Sequence, residues 1–451
     1  MRAHQQHHRR RQQGAAALVV VMMLFFIMSL VAAYASRNLI FEQRTSANNY
    51  RSTQAFDAAE AGLEWAIAML NGGRIDESCV GTADTALSSF RERYLSMDAN
   101  GQITVRKWIN AGLETSLLPS CVGGASGWAC SCPQAGVPAL AAPAGNSAAP
   151  SFNVRFEVAT GQPGLVRVYS KGCSGLGKQC YAAAGSNADA EAEVIAVLGL
   201  APALTQTPAA AFTVRGALDA PDADFVNPET TGIAVNAGGP ANAPRVTGPA
   251  GMSATSAQST LVVADDLSLS GITPAAGMSP GEMMFLATFG MPPAAFRVQP
   301  AVVRLSCGDD CAAALQDAAA RFPGRVVWID GDLNLGASTV LDLGSAAAPL
   351  LLVVNGNVNW AAGSNVLLHG LLYVRGASWS SVGATATIIG AVVAEGDAAI
   401  GPPDEGRFTV TGEPRFVFDA AVVDHLKKVQ ARRVFDFGSF ARVPGSWRDF
   451  R

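Results

Sequence analysis

Four polar side chains recur at one place in a repeated pattern and are the strongest candidates for chemistry in the chain. VVWIDG (326–331), LLVVNG (351–356), LLYVRG (371–376) and AVVAEG (391–396) each set an apolar run before one polar residue and a glycine. Stacked in register, these segments bring Asp330, Asn355, Arg375 and Glu395 into one column. Carboxylates paired across neighbouring repeats, with a cation beside them, are what saccharide-cleaving enzymes require. Here two repeats stand between Asp330 and Glu395, so a solvated column at a corner is the expected reading. Asp219, Asp222 and Asp224 offer oxygens of the kind calcium takes, but without the glycine and bidentate glutamate that complete such a loop, and they read as a polar turn. His369 is the lone histidine of the repeats and is expected at a corner or on the surface. The other four are His4, His7, His8 and His425. Neither a Ser/His/Asp set, GxSxG nor a Walker-type loop occurs. The residues point to a non-enzymatic protein with no cofactor and no metal.

Eight cysteines contain no pair of zinc-type CxxC knuckles. Cys173 with Cys180 and Cys307 with Cys311 are spaced to close small loops, and they are the candidate disulfides of an exported chain. Pairing of the full set stays open at this stage.

The column needs a scaffold, and the repeat supplies one. Glycines at 356, 363, 370, 376, 383, 390 and 396 advance in steps of seven, seven and six. Three short sides with a glycine at each corner predict a parallel β-solenoid over 205–418, in which stacked coils share a core. FTVRG (212–216), GIAVNAGG (232–239) and TLVVADDLSLSG (260–271) read as earlier coils. An insertion follows at about 272–325, with a helix over Asp310–Arg321. Trp360 and Trp379 are expected on the solenoid surface, where a glycan or another surface ligand would find them. Residues 419–451 form a C-terminal cap: Asp419 starts a helix running to Arg432 and Arg433, placed over the open edge.

Residues 74–204 read as an α+β module. Asp84–Leu95 is weakly helical, Ile103–Trp108 a strand, and Gly123–Ser151 a surface loop rich in small residues. FNVRFEVA (152–159), LVRVYS (165–170) and AEAEVIAVL (190–198) are three strands of a small antiparallel sheet. The sheet needs a helix to cover it, and the N-terminal region provides a long one. Ala15–Ala35 holds 21 residues with no charge, enough to cross a bilayer. Arg9, Arg10 and Arg11 precede it, which keeps residues 1–14 cytoplasmic and exports the rest. Helix formers continue through 36–73, with Phe56, Ala59, Leu63, Ala66 and Leu70 on one face. Gly72 and Gly73 stop the helix. The fold class is therefore α+β: a transmembrane and amphipathic helix with a small antiparallel sheet, then the all-β parallel solenoid and its capping helix.

Composition narrows the partners. Only 15% of residues are charged, against about 25% in an ordinary globular domain. Net charge is −4, and four of the 32 Lys and Arg lie in the first 14 residues. Nucleic acid is excluded as a main partner by the lack of a basic stripe.

RRRQQGAAALVVVMM (9–23), followed by Glu42, Asn48, Asn49, Arg51 and AFDAAEAGLEWA (55–66), resembles the N-terminal region of the PilX family of type IV pilus minor pilins. VPGSWRDF (443–450) is similar to the ending of PilX-type assembly proteins. The resemblance implies that a prepilin peptidase cuts between Gly14 and Ala15, that the new amino group on Ala15 is methylated, and that the helix moves from the inner membrane into a filament. Its implied partners are other minor pilins and the major pilin. Val19 stands where major pilins carry a glutamate, which favours a rare or terminal subunit, with a priming or tip location, over a bulk one; the resemblance also implies a Gram-negative type of pilus. A membrane-anchored adhesin, a solenoid carbohydrate enzyme and a type II secretion tip pseudopilin are the alternatives.

Overall fold

The computed structural model describes residues 8–98, 101–140, 149–175, 180, 190–273, 277–396, 406–427 and 438–449. Helix α1 (His8–Asn71) runs 64 residues, about 96 Å at ~1.5 Å per residue. No proline interrupts it. Residues 16–51 are exposed, and from Ala55 onward the helix lies on a sheet. There it buries Ala55, Ala58, Ala59, Leu63, Ala66 and Leu70, while Phe56 is only half-buried. Small side chains let the two backbones come close.

After α1 come α2 (Phe90–Tyr94), β1 (Leu95–Met97), β2 (Ile103–Val105), β3 (Lys107–Asn110), β4 (Leu113–Ser116), β5 (Ser120–Gly124) and β6 (Gly127–Ser131). Strands β7 (Ser151–Val158), β8 (Leu165–Cys173) and β9 (Glu191–Ala201) form an antiparallel meander under α1, with β5 and β6 extending it. Gly172 of β8 faces Ala55 and Ala59 of α1, and a Cβ there would strike the Ala55 carbonyl. Three local expectations change. The helix expected over Asp84–Leu95 shrinks to α2, because Ser89 and Glu92 form a capping box that starts it late. The strand expected over Ile103–Trp108 divides at Arg106 into β2 and β3, which pair with β1 and β4. The Gly123–Ser151 stretch contributes β6, held to β5 by Cys121–Cys130, and its residues 141–148 lie outside the described ones.

The second half is a stack of parallel strands. β10 (Ala210–Val214), β11 (Ala217–Asp219), β12 (Asp224–Val226), β13 (Ile233–Ala237), β14 (Ala241–Asn242) and β15 (Arg245–Thr247) lead to α3 (Ala254–Leu261) and β16 (Val262–Val263). Helices α4 (Leu267–Ser270), α5 (Pro280–Phe289) and α6 (Pro293–Phe296) then carry the chain to β17 (Val302–Leu305) and α7 (Ala312–Arg321). The regular repeats follow as β18 (Val326–Ile329), β19 (Leu333–Leu335), β20 (Val340–Leu343), β21 (Leu350–Val354), β22 (Val358–Trp360), β23 (Asn365–Val374), β24 (Ser378–Ser381), β25 (Thr385–Ala394), β26 (Arg407–Gly412) and β27 (Arg415–Phe418). Their pairing is parallel and in register, as in Leu350↔Gly370 and Gly370↔Gly390. Gly370 and Gly390 turn the chain at φ 149° and 130°, and a Cβ on Gly370 would collide with the Leu350 backbone.

Spatial order departs from chain order. The coil begun by β10 does not precede the regular repeats; it stacks on the last of them, β10 on β25, β11 on β26 and β12 on β27. Segment 264–301 thus travels from one end of the stack to the other. On the way α5 and α6 cover the outer face of β18 and β23, where Phe285 lies 5.8 Å from Trp328 and 5.2 Å from Tyr373, centroid to centroid. This explains why LLLVV of β21 is buried at all five residues: one face looks into the coils and the other is covered by the insertion.

The expected C-terminal cap is also corrected. Asp419 does cap α8 (Ala420–Lys427), accepting from the Val422 N–H at 3.0 Å. The helix then lies along β23 and β25 at the glycine corners, with Val422 against Gly390, rather than over an open edge. The stack's ends are covered by α3, against β13, β15 and β16, and by α7, against β17 and β20. Arg432 and Arg433 lie outside the described residues. After them β28 (Ser439–Arg442) returns to the first sheet and pairs antiparallel with β9. The stack is therefore inserted between two neighbouring strands of the α1 module.

All parts meet at the carboxyl end of α1. Arg91 donates to the Leu70 carbonyl at 2.8 Å and to that of Gly438 at 3.0 Å. Arg325 donates to the Asn71 and Gly72 carbonyls at 3.3 and 2.9 Å. Both guanidinium groups are almost wholly buried, and they satisfy carbonyls that a helix end leaves open. Asn71 bonds Phe440 at both its N–H and its carbonyl. Arg325→Met strips donors from two buried carbonyls and is expected to lower stability by about 1–3 kcal/mol. Denaturant midpoints of the full chain read this loss, and an unchanged midpoint would remove the joint from the list of stabilising contacts.

Candidate functional site

Two regions compete for a functional role, the polar column and the exposed half of α1. Register places the column's residues as neighbours, because Ile329, Val354, Val374 and Ala394, which precede them, pair in sequence. Arg375 joins two coils, its Nε donating to Glu395 at 2.9 Å and its Nη1 to Asn355 at 2.6 Å. The Glu395 side chain is 1% exposed. The column is thus buried at Glu395, partly covered at Arg375, where Phe285 of α5 lies 5.8 Å from the guanidinium, and open to solvent at Asn355, so the solvated column expected holds for only part of its length.

Asp330 is bound differently. It accepts from Arg304 at 2.8 Å, Arg297 at 3.1 Å and the Trp328 indole at 2.9 Å. Burial alone would raise its pKa, but hydrogen bonds from Arg304 and Arg297 outweigh it and hold the carboxyl below its ordinary range. Both carboxylates of the column are engaged by cations, with two coils between them, which leaves neither placed beside the other for acid/base work.

Asp219, Asp222 and Asp224 do not converge. The Asp219 carboxylate accepts from Asn242 at 2.8 Å, and at Asp222 it is the backbone carbonyl that accepts from Arg245, at 2.7 Å. Among the described residues no group of three His, Cys, Asp or Glu could hold a metal ion. His369 is half-buried at the corner before Gly370. Trp360 and Trp379 are 3% and 0% exposed, packed inside the coils with ring centroids 4.8 Å apart and planes tilted by 58°. Alternation places them inward, and the surface platform expected for a glycan is not there.

Sequence reasoning did not find a cleft of about 710 Å³ between the α1 module and the stack. Arg74, Arg93, Arg106 and Lys107 line it, with Glu92 tied into the α2 capping box. Burial lowers the Arg93 pKa and raises that of Tyr94. Its walls come from segments far apart in the chain, so no motif announces it. Four disulfides pair all eight cysteines: Cys79–Cys132, Cys121–Cys130, Cys173–Cys180 and Cys307–Cys311.

Helix α1 is the larger feature. Every described residue from Ala16 to Arg51 is exposed, including Leu18 to Leu24, Phe25, Phe26 and Phe41. From Ala16 the helix is apolar and long enough to cross a membrane, with none of its most apolar window buried. Gly14 and Ala15 lie within α1, just before that stretch. Exposed apolar surface on this scale marks contact with lipid or protein.

For Asp330, the lowered pKa means that the carboxylate stabilises the fold above the ordinary carboxyl range and that this contribution is lost as pH falls through the lowered value. Asp330→Asn is expected to cost about 1–3 kcal/mol at neutral pH. The difference from the parent chain should close on acidification, as urea unfolding at several pH values would show; a gap that persists at low pH contradicts the ion-pair account.

Residues 13–64 match the family model described as PilX N-terminal. No curated protein matches the chain. Among solved structures, the competence-associated pilin ComZ from Thermus thermophilus is aligned over 88% of this chain and 97% of its own, at 12% identity and a TM-score of 0.20. That score is too low to equate the two folds. The family match thus covers the N-terminal segment alone, and it falls on the long exposed helix: residues 13–64 of this chain are similar to a PilX-type N-terminal segment.

Proposed function

We propose that the protein is a minor-pilin-type subunit that takes part in type IV pilus assembly. The observation that carries this reading is α1 itself: its PilX-like segment begins with an apolar run that is exposed from Ala16, and only from Ala55 does the helix pack on the body. A helix built this way can stand in lipid and later enter a helical bundle without rearrangement of the body. Arg9, Arg10 and Arg11 favour a cytoplasmic N-terminus, and cysteines paired throughout suit an oxidising compartment on the far side of the inner membrane.

Prepilin peptidase would cut between Gly14 and Ala15 on the cytoplasmic face. The helix would then join other minor pilins and the major pilin in the filament. Val19 puts no carboxylate in the span, which eases residence in lipid and removes one contact that sets register between subunits. Bulk supports a place at or near the tip, where priming occurs. Residues 74–451 form a body that carries the parallel stack in addition to a pilin-sized sheet, and a thin fibre has free space for it only at an end.

Intact-mass and N-terminal analysis of the membrane-extracted protein, from cells with and without prepilin peptidase, tests the proposal. A chain beginning at methylated Ala15 only where the peptidase is present is the expected result. A chain beginning at Ser36, or an uncut Met1, would overturn it.

A further inference from the structure

The slot between β9 and the end of α1 is built as a receptor for an extended strand. On one side β9 offers its edge, and Ser439, Phe440, Ala441 and Arg442 pair with Ala201, Leu200, Gly199 and Leu198. On the other side no strand is present among the described residues, and the Asn71 side chain takes that place. Its Oδ1 accepts from the Phe440 N–H at 2.8 Å and its Nδ2 donates to the Phe440 carbonyl at 2.9 Å, as a neighbouring strand would. The Phe440 ring is fully buried in the core of the α1 module, and the Arg91 guanidinium lies 4.9 Å from its centroid. Farther along, Arg448 exchanges both backbone bonds with Ile195, at 2.8 and 2.9 Å. The slot thus has a ladder, an amide clamp, an aromatic pocket and a cation, the elements by which a sheet edge recognises a peptide.

Its occupant comes from 369 residues beyond Asn71. Between β9 and β28 the chain must first make the whole stack, so the slot stands empty until those residues have been synthesised. An empty slot leaves the Asn71 amide without its strand, the Arg91 guanidinium without the Gly438 carbonyl, and the sheet's core open at Phe440.

We infer that this slot is a strand-acceptor site for residues 438–449, and that its filling is the step that completes the α1 module once the stack has been made. The site takes an extended peptide with an aromatic side chain in the position of Phe440. The strand also meets the stack, where the Ala301 N–H donates to Ser439 Oγ at 3.3 Å; on this inference the interior strands β21 and β23 form without it, whereas the module that anchors α1 cannot be finished without it. This inference does not depend on pilus function.

Hydrogen exchange on the detergent-solubilised protein tests it. In a chain ending at residue 437, amides of β9 and of the last turn of α1 are expected to exchange at least about tenfold faster than in the full chain, with those of β21 and β23 unchanged. A synthetic peptide of residues 438–449 should restore their protection with saturation, and the same peptide carrying Phe440→Asp should not. Equal protection of β9 with and without the segment overturns the inference, as does restoration by the Phe440→Asp peptide or failure of the parent peptide in excess. Full-length Asn71→Ala gives an independent reading that needs no truncation: faster exchange confined to β9 and the α1 end supports the site, and equal loosening of β21 and β23 refutes it.

Discussion

The unpaired carbonyls at the carboxyl end of α1 set the terms for everything around them. A helix end carries partial negative charge and acceptors that cannot be buried unmet. Here it is buried, between a sheet, a short helix and a stack of coils, and two guanidinium groups meet it. Arg91 comes from α2, in the sheet's module, and Arg325 from the residue just before β18, at the start of the regular repeats. Gly73 allows the chain to leave in contact with the Arg321 carbonyl and Phe322, and the Arg74 N–H donates to that carbonyl at 2.7 Å. Because each donor belongs to a different part of the chain, the orientation of α1 is fixed to both halves of the body at once. Whatever acts on the exposed end of α1 acts on the stack through these bonds.

The second constraint is the closed order of the stack. Repeats of near-identical pattern can pair in more than one way, and an open end invites another strand. Here the coil of β10 to β12 occupies the end that the last regular coil would leave free, and segment 264–301 returns outside the coils to start β17 at the other end. That return path is useful in itself. Its aromatic cluster of Phe285, Phe289 and Phe296 buries the outer face of β18 and β23, which would otherwise expose Trp328 and Tyr373. The insertion is thus a wall of the stack.

Much of this was legible in the sequence because it depends on local pattern. The uncharged run from Ala15, the small-residue face of α1, the three strands over 152–198 and the glycine steps of the repeats each leave a periodic trace. Information was lost wherever the deciding contact is distant. Nothing near Ser439 says that it pairs with Ala201, and nothing near Phe212 says that its coil stacks on Val392 rather than on Val326. Trp360 and Trp379 misled for a related reason. They stand in short polar surroundings that suggest a surface, yet β22 and β24 point them into the coils against Phe416 and each other. At the column, register could be counted but burial could not, since the covering residue, Phe285, comes from the insertion.

The column's charges show what such residues do in a chain with few of them. Along the four regular repeats the order is Asp330, Asn355, Arg375, Glu395, so a carboxylate stands at each end. Beyond Asp330 the cations are Arg297 and Arg304, from the insertion and from β17. Beyond Glu395 comes Arg215, which follows Val214, the partner of Ala394, and donates to the Glu395 carbonyl at 3.1 Å. At the Asp330 end the incoming arginines meet a carboxylate, and at the other end Arg215 is held by the Glu395 main chain. Shifting either segment by one residue would move that arginine to the opposite face of its strand, and shifting by one coil would set Arg215 against Arg375. Apolar pattern alone cannot forbid these errors, because every repeat offers the same Val and Leu. The residues that first suggested catalysis are better accounted for as the marks by which nearly equivalent coils are told apart.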